Sequence, residues 1–514
     1  MLAGKAYRAM GWSGGSGVVA NALELLKYVI LARMLPATDF GWLAMVMVVI
    51  GIMRMFADGG LSNAIIHYRL RERRLLTGLF AIQLAAGLLL YGVIWFTAPL
   101  FARFWASPEI SGLLRLAGLL LPLISAGALF EVILRKELVF KHLAGAELLA
   151  SVTGFLAAIG LAWQGFGVQA LIWGHLVAAA VMTSVHIALG LRLFRPSRSF
   201  RFTGAGTYLR FGFYQMGERA LNVYAMRIDQ LIIGRFFGPD VLGGYYLAWQ
   251  LILFPVQRMS PLLNRVAFPV FASIQSRNDR LAAGYLKLMN GVLAMGLPVM
   301  LFGALSAPWL IPLLLGTGWE LTVQLVPFMA LLGVMRLLGN PSGTIVLSKG
   351  RAGLVFWWNF AVAVINTLVF FWASQYSIYI LAGSYALLNV AYFIIGQWLM
   401  VNRLIDLTWR QISASVGPFI VTTLAGWVLA LLVRNSVSGI WRTSPPPDAP
   451  WCGSWVHCWY IAWAQPYIWL DRAMFSPPVM VMLLAGIFLI LYMPAVALFQ
   501  RTLAGEIFRN FKRH

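Results

Sequence analysis

Acidic side chains are scarce in this chain. Its 514 residues include 17 Asp and Glu against 39 Lys and Arg. Charge of either sign makes up only 11% of the sequence, while 61% is hydrophobic. A water-soluble fold of this length could not cover that much apolar surface with so few charges. Cysteine is nearly absent. Cys452 and Cys458 fall in one late segment, with no CxxC and no His/Cys cluster at metal-ligand spacing. The six histidines are scattered, and HExxH, P-loop and GxSxG patterns are missing. The sequence therefore points to no catalytic residue, no metal and no cofactor. The opening MLAGKAYRAMGW runs into an apolar segment without a small-residue cleavage site, so no cleaved signal is expected.

Long apolar runs are plentiful, many near the ~20 residues that cross a bilayer. They fall near 12–34, 39–67, 76–99, 112–133, 144–163, 168–191, 208–235, 240–268, 288–314, 322–347, 353–373, 378–401, 411–433 and 478–499. The expected fold is an all-α polytopic membrane protein of fourteen transmembrane helices.

Net charge is +22, which first suggests a nucleic-acid partner. The distribution argues against it, because a nucleic-acid binder gathers its charge on one soluble domain and none is visible. Alternate short loops instead carry 26 of the 39 basic residues, among them Arg69, Arg71, Arg73 and Arg74, then Arg192, Arg195, Arg198 and Arg201. The opposite loops hold only Arg33, Arg103, Arg115, Arg235, Arg434, Arg442 and Arg472. This is the positive-inside pattern, and it predicts that both termini are cytoplasmic.

VILARMLPATDFGWLAM resembles LIIGRFFGPDVLGGYYLAW, with Arg33 falling on Arg235 and Gly41 on Gly244. Spans 1–2 thus match spans 7–8. Two six-helix lobes follow, 1–201 and 202–405, related by an axis along the membrane normal. The last two spans, in 406–514, are appended. Between them the stretch 434–477 is rich in Pro, Trp and Cys. Trp451, Trp455, Trp459 and Trp463 recur every four residues, as on an interfacial helix. A Cys452–Cys458 disulfide is the rival reading, and an ill-ordered insertion the third.

Charges inside the spans carry the functional signal. In YQMGERALNVYAMRIDQL, a helix puts Gln215, Glu218, Arg219, Asn222 and Asp229 on one face. Span 1 adds Asn21, Glu24 and Lys27, span 2 adds Arg54 and Asp58, and spans 8 and 10 add Arg258 and Arg336. Each charge facing lipid at mid-bilayer costs about 2.5–3.5 kcal/mol, so these side chains face protein or water. Two readings stay open: ion pairs that hold helices together (Glu24 with Lys27, Glu218 with Arg219), or a solvated basic cavity between the halves. Arg and Lys match phosphate, Arg bidentately. The cavity reading assigns Lys27, Arg54, Arg219, Arg258 and Arg336 to an anionic headgroup. Asn21, Glu24, Asp58, Gln215, Glu218, Asn222 and Asp229 form its polar lining.

LARMLPATDFGWLAMVMVVIGIMRMFADGGLSNAIIHYR and NVYAMRIDQLIIGRFFGPDVLGGYYLAWQL resemble the polysaccharide-transporter branch of the multidrug/oligosaccharidyl-lipid/polysaccharide exporter superfamily, near its Wzx-type flippases. The likeness covers about 1–433 and 478–514, and the 434–477 stretch departs from it. The resemblance implies a V-shaped pair of lobes working by alternating access. It implies movement of an undecaprenyl-pyrophosphate-linked oligosaccharide across a bacterial inner membrane, for exopolysaccharide or O-antigen synthesis. It further implies H+ or Na+ coupling, or use of the membrane potential, with membrane lipids and polysaccharide polymerase machinery as partners. Two alternatives stand beside it: a cation or drug antiporter of the same superfamily, which would want an acidic cavity, and a membrane polysaccharide polymerase, for which 434–477 offers no catalytic constellation.

Overall fold

A computed structural model describes residues 17–421, apart from 18, 59, 68, 69, 71, 138, 139, 200, 201, 203, 204, 418 and 419. The Trp/Pro/Cys-rich stretch, both cysteines, both termini, the fourteenth expected span and most of the thirteenth lie outside the described residues. Among the described residues every regular element is helical. The elements are α1 (19–32), α2 (Ala37–Asp58), α3 (Leu61–His67), α4 (Arg73–Phe104), α5 (Glu109–Gly118), α6 (Leu120–Lys136), α7 (Phe140–Trp163) and α8 (Val168–Leu193). Then come α9 (Ala205–Ser273), α10 (Asn278–Leu315), α11 (Glu320–Ser348), α12 (Ala352–Ala373) and α13 (Ile378–Gly396), a π-helical turn Gln397–Asn402, and α14 (Arg403–Ile405).

Nine helical segments among the described residues are long and apolar enough to cross a bilayer. In addition, α1 and the two halves of α9 coincide with the first, seventh and eighth expected spans. The halves of α9 part at Gly238, whose φ of 80° and ψ of 179° are non-helical. Pro239 follows, and a proline both disfavours helix in the residue before it and suits a helix start. Span 2, read from sequence as one run over 39–67, is broken into α2 and α3. Gly60 sits between them at φ 65°, and a Cβ there would lie 2.6 Å from the Gly212 Cα, so the break brings two backbones together.

By internal packing the chain divides into two compact units. One runs to Leu247 and takes in Phe356–Leu381; the other is Ala248–Val355 with the chain from Ala382 onward. In the first unit, helices meet through small residues. A Cβ on Gly154 of α7 would lie 2.7 Å from the Ala178 Cβ, and one on Gly174 of α8 would lie 2.7 Å from the Ala158 Cβ. Close backbone approach replaces the hydrophobic drive that lipid cannot supply. On the α6–α8 seam, Thr183 Oγ1 donates to Leu123 O at 3.0 Å, satisfying a hydroxyl within the protein. Phe236 of α9 meets Phe371 of α12 edge-on at 5.5 Å, and Tyr224 Oη lies 3.1 Å from Thr367 Oγ1.

The second unit is built on α10 and α11, where the Gly333 Cα lies against Met300 and Gly296 against Leu337. A polar chain crosses it: fully buried Tyr285 of α10 donates to Gln397 Oε1 at 2.6 Å, and its hydroxyl lies 2.9 Å from Ser342 Oγ of α11. Gln397 opens the π-helical turn and donates in turn to Asn402 Oδ1 at 3.2 Å. Tyr285→Phe leaves the buried Gln397 carbonyl short of its donor. The expected cost is about 1–3 kcal/mol, read as a lower melting temperature of the purified protein in detergent. An unchanged melt would mean the chain does not brace the π turn.

Candidate functional site

Polar side chains from the spans converge in the first unit. Lys27 of α1 is only 8% exposed. Its charge interacts with Glu24 one turn earlier and with His175 of α8. Its ammonium lies 5.1 Å from the Tyr28 ring centroid. The Tyr28 hydroxyl is 3.0 Å from that of Tyr246, and the two rings meet edge-on at 6.0 Å. Those contacts tie α1 to the second half of α9. On the first half of α9, Arg227 donates from Nη1 to Gln230 Oε1 at 3.2 Å, and its charge reaches Tyr28. Tyr245 donates to Asp229 Oδ2 at 2.6 Å, both side chains being buried. Two cations, two carboxylates, an imidazole and three phenols thus share one otherwise apolar region. Such groups are held inside a membrane protein only where they satisfy one another or a ligand.

The other residues singled out by sequence are distributed as follows. Asn21 and Glu24 are half-buried on α1, and Asn222 is half-buried on α9. Arg54 is exposed on α2, four residues before Asp58 closes that helix. Gln215, Glu218, Arg219 and Arg258 belong to α9, but their side chains, like that of Asp58, lie outside the described residues. Arg336 belongs to the second unit and is engaged there. Its guanidinium stacks on Trp249 at 4.7 Å, and Nη2 donates to the Tyr385 hydroxyl at 2.5 Å. Trp249 and Tyr385 are themselves nearly parallel, 8° apart at 6.4 Å. Sequence reasoning missed this aromatic pair, and it missed Tyr28, His175, Tyr245 and Tyr246. A histidine in the middle of an apolar span was the one signal that could have drawn attention to α8.

The internal repeat becomes a physical contact. A Cβ on Gly41 of α2 would stand 1.8 Å from the Pro239 carbonyl oxygen, and one on Gly243 of α9 would stand 1.8 Å from that of Ala37. Each glycine lies four residues beyond the backbone that the other touches, so two helix starts cross reciprocally, backbone on backbone. The sequence alignment set Gly41 on Gly244; the packing makes Gly243 its counterpart. Arg33 and Arg235 keep the same register, each eight residues earlier. Nearby, a Cβ on Gly234 would lie 2.9 Å from Met45 Cε and 3.0 Å from Trp105 Nε1, which itself donates to Leu231 O at 3.4 Å.

Apolar spans joined through small residues define a multi-pass membrane protein. The solved structures that resemble it agree. The lipid II flippase MurJ in an inward closed conformation aligns with a TM-score of 0.71 over 96% of this chain and 99% of that one, at 12% identity. An inward-facing multidrug MATE transporter of the MOP superfamily aligns at 0.56 over 75% of this chain and 94% of that one, at 16% identity. At such identities the likeness is one of fold. By sequence, residues 30–324 match the family described as polysaccharide biosynthesis protein, and the chain belongs to that family. It is 27% identical to the teichuronic acid biosynthesis protein TuaB of Bacillus subtilis (strain 168), over 81% of this chain and 86% of that protein. It is 25% identical to the lipopolysaccharide biosynthesis protein WzxC of Escherichia coli (strain K12), over 83% and 88%. To the succinoglycan biosynthesis transport protein ExoT of Rhizobium meliloti (strain 1021) it is 28% identical, over 70% and 72%. Fold and family together make this chain a membrane transporter and not an enzyme.

Proposed function

We propose that the protein flips an undecaprenyl-pyrophosphate-linked oligosaccharide from the cytoplasmic to the outer leaflet of a bacterial inner membrane, by alternating access of its lobes 1–201 and 202–405. The observation that supports this reading is the convergence of Lys27 and Arg227 on Tyr28, beside Tyr246, in a chain of the polysaccharide biosynthesis family. Lys27, Arg54 and Arg219 grip the pyrophosphate, Arg bidentately and Lys as a point charge. The charge of buried Lys27 interacts with Glu24, so a phosphate would compete with that carboxylate for it, and loading and release then need little net free energy. Both termini are cytoplasmic in this reading.

Membrane potential supplies a drive. With the interior negative, moving a negative headgroup outward is downhill by about 2.3 kcal/mol per charge per 100 mV. Return of an empty cationic site is downhill too, so the cycle runs without a dedicated H+ or Na+ site. If Glu24→Gln, Asp58→Asn and Glu218→Gln each abolish export while the potential is intact, ion coupling takes its place. A polysaccharide polymerase on the outer face consumes the flipped unit.

Deletion of the gene should trap lipid-linked repeat units on the cytoplasmic face. Restoring the chain with Arg54→Ala should leave them trapped, with the protein still in the membrane. Normal polymer output from that variant would remove Arg54 from the site.

A further inference from the structure

The sequence shows two arginine-rich stretches far apart in the chain: Arg69–Arg74, with four arginines and Glu72, and 192–201, with four arginines and no acid. The structure fastens them together. Arg73 donates from Nε to Arg195 O and from Nη2 to Pro196 O, the latter at 3.3 Å. Ser197 N donates to Thr77 Oγ1 at 2.9 Å. The segment leaving α8 is thereby laid across the first turn of α4. Arg73 acts as the strut, and its donors are spent on backbone. Arg74, Arg192, Arg195 and Arg198 stand exposed around it, and none of the four side chains has a hydrogen bond, ion pair or ring partner among the described residues. Ser197 and Ser199 lie beside them, their hydroxyls 3.3 Å apart. Leu191, Leu193 and Phe202, from the same stretch, are exposed.

An ordinary solvated loop of positive-inside arginines needs no such construction. Here a turn is tied down so that guanidiniums, hydroxyls and apolar side chains share one corner of a membrane-spanning unit. Guanidiniums and hydroxyls are phosphate donors, and the leucines suit acyl chain. We propose that this corner is a binding site for an anionic phospholipid of the leaflet it faces, the phosphate held by Arg74, Arg192, Arg195 and Arg198 and the acyl chains lying along Leu191 and Leu193. The lipid bridges the start of α4 and the end of α8. The site uses none of Lys27, Arg54 and Arg219, and it stands whatever cargo the transporter carries.

Native mass spectrometry of the purified full chain, incubated with equal amounts of phosphatidylglycerol and phosphatidylethanolamine, tests it. Phosphatidylglycerol adducts should dominate. Arg195→Gln together with Arg198→Gln should lower their occupancy tenfold or more, since each basic side chain near a lipid surface contributes about a fivefold factor. The ties use the carbonyl of Arg195 and not its side chain, so the lipid-free melting temperature should not move. If it does, Arg74→Gln with Arg192→Gln, which touches none of the ties, is read in the same way. Equal adducts of the two lipids overturn the proposal. So does unchanged phosphatidylglycerol occupancy in both double variants, or binding of inorganic pyrophosphate without phosphatidylglycerol.

Discussion

Gly41→Ala is expected to cut polysaccharide export at least tenfold while the protein remains in the membrane. The added methyl would sit 1.8 Å from the Pro239 carbonyl oxygen, backbone that no rotamer change can move. The two helix starts must then separate by more than an ångström, at about 1–3 kcal/mol of overpacking. Gly243→Ala meets the Ala37 carbonyl at the same distance and should do the same. Gly51→Ala, ten residues further along α2, meets nothing within 4 Å and should export normally. This crossing joins the two halves of the repeat, which the proposed cycle would move against each other. Export rate, membrane abundance and melting temperature are measured together for all three variants. Full export from Gly41→Ala would show that the contact is passive packing.

The second large effect concerns Lys27 and separates the two readings that the sequence left open. Lys27→Met alone should abolish export, and it should also lower stability, because half-buried Glu24 loses the nearby ammonium charge. Glu24→Gln with Lys27→Met removes both charges. If the pair is only glue between helices, this double variant recovers stability and export together. If Lys27 holds the phosphate, it recovers the melting temperature and the membrane abundance but not export. The second outcome is the expected one. Recovery of export would take Lys27 out of the site and leave Arg54 and Arg219 to carry it.

The positions of the helices were legible because lipid imposes a simple rule: an apolar run of sufficient length must cross, and its backbone must satisfy itself as a helix. The breaks were harder to see. Span 2 looked continuous because Gly59 and Gly60 do not interrupt its hydropathy; Gly60 ends the helix through its backbone angle and its contact with Gly212. The repeat was visible from Arg33 and Arg235, but its register was off by one at the glycine. In the sequence GG pair, either residue aligns equally well, and only the approach to Ala37 selects Gly243.

Side-chain partners were the least legible. Asp229 was seen as a charge in a span, and the Tyr245 that donates to it lies sixteen residues on, across the Gly238 break. Tyr28 and Tyr246 are 218 residues apart. Arg336 was seen as a cation in a span, and its neighbours Trp249 and Tyr385 come from α9 and α13. Apolar length is a property of a single chain in a layered solvent, so the sequence by itself determined the helical membrane class and, among the described residues, the spans apart from the break in the second. Which buried charge meets which hydroxyl, ring or carboxylate depends on how helices far apart in sequence rotate and cross, and only the tertiary structure decided that.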